Sequence, residues 1–303
     1  MNIIFLDSEI IDRGDVSWSG IEKLGSFRNY SATSREQAAE RLAGAEAVFI
    51  DSFAMDRDMI DLCPDLRFIG AAATGFNHID IEYAGSRGVA VCNVPAYSTE
   101  AVAQHAAALM LSVANRIGDY DAQVRSGLWN TEVGAAYEPY PLKLLWGKRL
   151  GIIGYGNIGR RMGEIAEALG MSVSIYSRDP EAVMEADVIS LHCPLTDENR
   201  GMIDAGFISR MKDGAILINT ARGGLVDEPA LIEALRSGKL SGAGLDVIDG
   251  EPPEKDSPIL SAPNCIITPH IAFTPVEIRQ RVVDICAENL RQYLEGEHLN
   301  RIV

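Results

Sequence analysis

Short apolar runs bounded by polar or glycine-bearing stretches recur along the whole chain, and the segments between them space their apolar residues three and four apart. Runs of the first kind read as buried strands, and segments of the second kind as amphipathic helices. In the first third the pattern predicts strands at Ile3–Leu6, Ala47–Ile50, Arg67–Ala71 and Val89–Asn93, with helices at Arg35–Leu42, Met55–Leu62 and Ile79–Ser86. Thr99–Asn115 is rich in Ala, Leu and Val and lacks Pro and Gly, which predicts a long, mostly buried helix leading away from this first body. From Lys148 onward six strands are predicted: Arg149–Ile153, Ser172–Tyr176, Asp187–Leu191, Ala215–Asn219, Gly242–Leu245 and Cys265–Thr268. A helical pattern over Val276–Glu295 then follows Thr274-Pro275 and is expected to return to the first body. Strands alternating with helices in this way predict an α/β protein with two doubly wound parallel sheets. The expected boundaries are 1–97 with 275–303 for one domain and 98–274 for the other.

Composition narrows the field without changing that picture. At 303 residues the chain suits two domains, and a hydrophobic content of 47% supplies two cores. A formal net charge of -16 argues against a nucleic-acid partner, because phosphate backbones call for clustered Lys and Arg. Met1–Leu6 is one short apolar run ended by Asp7, without a basic region or a long hydrophobic segment, so it reads as a first strand, with no membrane association expected. The five cysteines, Cys63, Cys92, Cys193, Cys265 and Cys286, show no paired metal-type spacing. They predict reduced thiols in a cytoplasmic protein, with no disulfide and no metal site.

Gly154-Tyr155-Gly156-Asn157-Ile158-Gly159 follows the predicted strand Arg149–Ile153 and opens a helical stretch, Arg160–Leu169, that Gly170 ends. Short glycine patterns are weak signals alone, but strand before and helix after is the context in which backbone amides meet a pyrophosphate at a helix N-terminus. Gly154, Gly156 and Gly159, with the Asn157 and Ile158 amides, are therefore candidate dinucleotide contacts, and six strands match a complete dinucleotide-binding sheet. The ribose-reading position, about 20 residues on, is Ser177 followed by Arg178, where an NAD-selective site presents Asp or Glu. Ser and Arg can donate to a 2'-phosphate and Arg can neutralise it, which inclines the reading to NADPH over NADH. Arg178 as a plain solvated cation, with either cofactor accepted, stays open. Arg178–Ala186 is short for a crossover, which predicts a reduced adenine-side wall.

Ligands of such sheets bind beyond the carboxyl ends of the strands, so the residues there hold the candidate chemistry. Arg222 follows the fourth strand of the series in Ile218-Asn-Thr-Ala-Arg-Gly-Gly224, Asp246 ends the fifth, Glu251 lies in the loop after it, and His270 follows the sixth. Reducing a 2-oxo acid needs a guanidinium to clamp a carboxylate and an imidazolium to protonate the carbonyl oxygen. A carboxylate beside that ring favours its charged form and fixes its orientation. Taken singly, each of the three reads as well as a core histidine, a turn cation or a loop acid; together at matching strand ends they point to a site. His192, also at a strand end, is the rival acid and reads as structural, with Cys193 and Pro194 facing the adenosine half. His78, His105 and His298 have no comparable setting, and Asp249–Ser257, with its paired prolines, reads as a surface loop.

Together these stretches resemble the D-isomer-specific 2-hydroxyacid dehydrogenases, and the resemblance runs over essentially the whole chain. It rests on Ala73–Asp80, Cys92–Pro95, Val102–His105, Gly154–Gly159, Leu191–Leu195, Asn219–Gly223, Leu245–Val247, Glu251-Pro252 and Pro269-His270. The resemblance implies a flavodoxin-like substrate domain with an inserted Rossmann dinucleotide-binding domain. It implies that Arg222 binds substrate, that Glu251 and His270 form the acid/base pair, and that Asp246 with Thr220 and Ala221 holds the nicotinamide end. The Thr74 and Gly75 backbone would receive the substrate carboxylate, domain closure would exclude water, and homodimers would form through the nucleotide-binding domain with Thr99–Asn115 contributing. Within the family the chain is most similar to glycerate dehydrogenases, also called hydroxypyruvate or glyoxylate reductases, while His270–Phe273 is similar to D-lactate dehydrogenases. A dinucleotide-sensing protein without turnover is the alternative of another class.

Overall fold

A computed structural model of the chain describes residues 1–130, 138 and 140–303. It divides into two compact units, Met1–Ser98 with Phe273–Val303, and Thr99–Ala272. Among the described residues no helix is long and apolar enough to cross a membrane.

The first unit is built on β1 (Asn2–Phe5), β2 (Ser26–Asn29), β3 (Ala47–Ile50), β4 (Phe68–Ala71) and β5 (Ala90–Cys92), all parallel, in the order β2-β1-β3-β4-β5. That is the flavodoxin-like order. Alternate side chains along each strand enter opposite cores, as the pleat requires. Ile4, Val48, Ile69 and Val91 join α2 (Arg35–Leu42), α3 (Arg57–Asp61) and α4 (Ile81–Ser86) on one face. Phe5, Phe49 and Phe68 join α1 (Ser19–Glu22) and α11 (Val276–Leu294) on the other. Arg279 of α11 is 5% exposed and grips Asp15 through two 2.6 Å contacts, which ties this helix to the loop after β1. At the far edge, the Ile302 amide donates to the Val91 carbonyl at 2.7 Å and Val91 donates to Val303 at 3.1 Å, so the last residues cover β5.

In the second unit β6 (Arg149–Ile153), β7 (Ser172–Ile175), β8 (Val188–Leu191), β9 (Ala215–Asn219), β10 (Leu240–Leu245) and β11 (Cys265–Ile267) form a parallel sheet in the order β11-β10-β9-β8-β6-β7. Ile216 and Ile218 of β9 enter the core beneath α5 (Thr99–Asn115) and α7 (Asn157–Ala168), while Ala215 and Leu217 enter the core shared with α9 (Ala205–Arg210) and α10 (Glu228–Ser237). The count of six strands is as the pattern predicts, but they are not the set expected of a complete sheet. In the usual order, 3-2-1-4-5-6, the third strand lies outside the second. Here the chain leaves β7, makes one short helix, α8 (Pro180–Met184), and returns as β8 on the other side of β6. β7 is thus the edge, and the extra strand, β11, stands at the opposite end.

α8, α9 and α10 carry no bounds in the pattern-based reading, and three further elements are absent from it. β2 is an edge strand with a single half-buried apolar residue, Phe27, and α1 is only one turn long. α6 (Ile117–Arg125) contains no buried residue, so no apolar stripe marks it.

Candidate active site

β6 delivers the chain into the glycine loop, and the three glycines are needed for three different reasons. Gly154 has φ +95°, and a Cβ there would lie 2.4 Å from the Cys193 amide nitrogen, so the turn meets the end of β8 only without a side chain. A Cβ on Gly159 would lie 2.2 Å from the Gly154 carbonyl oxygen, which sets how closely α7 approaches β6. At Gly156 a Cβ would meet nothing within 4 Å, leaving open space before the helix N-terminus. No side chain caps that end and no acid occupies its first turn, so the Asn157 and Ile158 amides remain available to an anion. At neighbouring strand ends two buried polar atoms, the Thr220 hydroxyl and His192 Nδ1, lack hydrogen-bond partners among the described residues. A phosphate-bearing ligand with polar groups along its length fits this cradle.

On the adenine side, Ser177 and Arg178 are exposed just past β7. The Arg178 guanidinium lies 5.3 Å from the Tyr155 ring centroid, and Arg160 lies 5.8 Å from the same ring. The acid next along the chain, Asp179, accepts from the Ala182 amide at 3.0 Å and caps α8. Cys193 abuts the glycine loop, and the Pro194 carbonyl accepts from Asn199 at 2.8 Å.

Arg222, Glu251 and His270 lie on loops leaving β9, β10 and β11, which are neighbours in the sheet. His270 Nδ1 and Glu251 Oε2 are 2.7 Å apart, and Glu251 Oε1 accepts from the Ile248 amide at 2.9 Å. The pair borders a cavity of about 470 Å³ whose walls include Ile248, Pro252, Pro253, Leu260 and Ile267. Asp249–Ser257 is therefore more than a surface loop, since its prolines form one wall of that cavity. Arg222 is exposed, and its backbone turn is framed by buried Asn219: the Asn219 amide donates to the Arg222 carbonyl at 2.9 Å, and its oxygen accepts from the Ala221 amide at 3.0 Å.

Asp246 is 1% exposed and its carboxylate is directed at the chain around His270. Oδ1 accepts from the Thr268 hydroxyl at 2.6 Å and the Ile271 amide at 2.9 Å, and Oδ2 accepts from the Ala272 amide at 2.9 Å. The Asp246 carbonyl accepts from the His270 amide at 2.8 Å, and His270 stands at φ +54°, a left-handed conformation that a non-glycine residue holds only when its surroundings impose it. Burial pushes the Asp246 carboxyl up, but hydrogen bonds from His105, Thr268, Ile271 and Ala272 outweigh it and hold the group below the usual carboxylate range. His105, read from the sequence as having no special setting, has one: its Nε2 is 2.9 Å from Thr268 Oγ1 and 3.4 Å from Asp246 Oδ1.

Thr74 and Gly75 follow β4 in the first unit, where the Thr74 hydroxyl donates to the Val94 carbonyl at 3.0 Å and a Cβ on Gly75 would meet nothing within 4 Å. His192 hydrogen-bonds Ser190 at 2.9 Å and does not join the trio. Among the described residues no group of three or more His, Cys, Asp or Glu could hold a metal ion.

A phosphate cradle, an imidazole on a carboxylate and a guanidinium on adjoining loops of one sheet edge define a nicotinamide-dependent oxidoreductase of small acids. Comparison with known proteins agrees: the family described as "D-isomer specific 2-hydroxyacid dehydrogenase, NAD binding domain" matches residues 107–272. The chain is 41% identical to a hydroxypyruvate reductase of Blautia hydrogenotrophica, across 99% of each protein. It is 38% identical to a glycerate dehydrogenase of Methylorubrum extorquens, across 98% of each. Among solved structures, an acyclic imino acid reductase in complex with NADPH and D-Arg superposes with a TM-score of 0.83 at 29% identity, covering 100% of both chains. The chain belongs to the D-isomer-specific 2-hydroxyacid dehydrogenase family, oxidoreductases acting on CH-OH donors with a nicotinamide dinucleotide.

Burial pushes the His192 imidazole down from 6.5 to about 4. Between those values the unfolded chain binds a proton that the native state refuses, so stability is full above pH 6.5 and falls as pH drops through the window. One such proton adds a slope approaching about 1.4 kcal/mol per pH unit. Thermal melts from pH 7 to 4 should show a shallower decline for His192→Gln than for the unaltered protein; equal slopes would refute the assignment.

Proposed function

We propose that this protein reduces hydroxypyruvate or glyoxylate to D-glycerate or glycolate, with NADPH preferred over NADH. The observation that carries the chemistry is the 2.7 Å contact between His270 Nδ1 and Glu251 Oε2, and Nε2 is the nitrogen this reading assigns to the substrate. The nicotinamide, when bound, supplies a hydride to the 2-carbon. His270 gives the former oxo oxygen its proton, so hydride and proton together complete the hydroxyl, while Glu251 retains the Nδ1 hydrogen bond and steadies the imidazolium before transfer. Arg222 pairs with the substrate carboxylate in a two-point clamp. The similarity to a hydroxypyruvate reductase and a glycerate dehydrogenase supports the choice of acid.

In this reading the second unit holds the dinucleotide. Gly154, Gly156, Gly159 and the Asn157 and Ile158 amides take the pyrophosphate, Cys193 and Pro194 line the adenosine half, and Thr220, Ala221 and Asp246 attend the nicotinamide end. The first unit recognises the acid, with Thr74 and Gly75 as its contribution. Two arginines beside Tyr155, and an Asp179 carboxylate engaged in capping α8, favour a 2'-phosphate after β7. The five free cysteines suit a cytoplasmic enzyme. A homodimer through the second unit is supported by large apolar side chains left in water at Ile117, Leu142, Leu144 and Trp146, Leu144 being 72% exposed and Trp146 70%.

Four measurements test this. A panel of hydroxypyruvate, glyoxylate, pyruvate and 2-oxobutyrate with each cofactor should show highest kcat/KM for the first two acids with NADPH. His270→Ala should lower kcat by at least about 100-fold with dinucleotide affinity unchanged, and an active variant would sink the proton donor. Arg178→Ala should raise KM for NADPH about tenfold and spare that for NADH, whereas equal effects on both would remove the phosphate role. Sedimentation should give a dimer that Leu144→Glu with Trp146→Glu converts to a monomer; a monomeric unaltered protein would dismiss the interface.

A further inference from the structure

Arg222 stands on one loop and Glu251 and His270 on two others, and the loops must be held in register. One peptide plane holds them. The Ile248–Asp249 peptide lies against the Arg222 turn so closely that a Cβ on Gly223 would be 1.8 Å from the Ile248 carbonyl oxygen and 2.4 Å from the Asp249 nitrogen. At its other end, the Asp249 amide donates to Glu228 Oε1 at 2.8 Å. Gly223 and Glu228 belong to the same stretch of chain, the turn that carries Arg222 and the start of α10. The peptide is thus gripped twice by the segment that holds the substrate clamp. The amide of Ile248 in turn donates to Glu251 Oε1 at 2.9 Å, and the other oxygen of that carboxylate meets His270 Nδ1.

We infer that Glu228 is a positioning residue for the reduction: by accepting the Asp249 N–H it sets the 248–251 loop against the Arg222 turn and so aligns Glu251 with His270. Its placement fits an internal tie. Glu228 is half-buried, and burial pushes its carboxyl up from the usual range. Arg200 directs its guanidinium towards Gly224, where a Cβ would be 2.7 Å from Nη1, and stands 3.8 Å from Asp249. The useful property of Glu228 is therefore an acceptor oxygen at a fixed place, which an amide also provides. Asn219 frames the same turn from the opposite side through Ala221 and Arg222, so the substrate clamp is held between two side chains that never touch the acid.

The proposal rests on the functional reading, and the test separates the two. Glu228→Gln keeps the acceptor oxygen, and Glu228→Leu keeps most of the bulk without it. Glu228→Leu is expected to lower kcat about tenfold or more, with KM for NADPH within about twofold of the unaltered enzyme, because a misaligned proton donor costs turnover and leaves the dinucleotide cradle alone. Glu228→Gln should restore kcat to within about threefold, since only the acceptor oxygen is needed. A shared thermal midpoint for the two variants shows that general destabilisation is not the cause. Full activity in Glu228→Leu overturns the proposal, as does an equal loss in Glu228→Gln. A direct readout is the far-downfield proton resonance of the His270–Glu251 hydrogen bond, assigned by its disappearance in Glu251→Gln. It should persist in Glu228→Gln and weaken or vanish in Glu228→Leu, and an undisturbed resonance in Glu228→Leu again overturns the role. If the unaltered protein reduces no 2-oxo acid, the functional reading fails, and this resonance alone decides whether Glu228 aligns the pair.

Discussion

The site depends on one buried carboxylate. Asp246 ends β10 with almost no contact with water, and its oxygens gather the Thr268 hydroxyl and the Ile271 and Ala272 amides, with His105 close behind. A lone charge so placed would be expelled or protonated; with this many donors it stays ionised. The donors come from the segment on either side of His270, so solvating Asp246 and shaping the His270 turn are the same event. The left-handed backbone at His270 is held by that bargain between a charge that needs donors and a turn that needs an acceptor. The ring proposed as proton donor thereby gains, on a loop, the fixity of the strand beside it.

How much of this could be read from the sequence follows from where the partners lie along the chain. β6 and β9 coincide with their predicted bounds because each is a buried, apolar run between polar ends, and α5 likewise because its composition admits little else. The glycine loop and the trio were legible as types at strand ends, since parallel sheets deliver such residues to one edge. β2, α1 and α6 were not, because they bury too little to leave a period. The ties of the site were hidden for another reason. His105 and Thr268 are 163 positions apart, and Glu228 and Asp249 are 21 apart, so neither pair leaves a local pattern. Asn219 alone gave a hint, as a polar residue closing a wholly apolar strand.

The strand order qualifies the dinucleotide cradle in the same physical terms. A strand outside β7 would wall the adenine and supply more residues near the ribose. In the proposed reading, the segment after β7 does that work instead through Ser177, Arg178 and the arginine-flanked Tyr155 ring. The shortened crossover and the departure from an acidic ribose reader are therefore one feature, a trimmed side of the sheet that leaves recognition to side chains on turns.

The three glycines of the cradle also divide what the protein needs in order to exist from what it needs in order to act. Side chains at Gly154 or Gly159 collide with the protein's own backbone, so variation there is felt while the chain is folding and removes the molecule from the cell. A Cβ at Gly156 meets nothing among the described residues and enters the space the proposed ligand would take. Of the three positions, that one alone can yield an abundant, well-folded and silent molecule. Inheritance would treat such a change very differently from one at either flanking glycine.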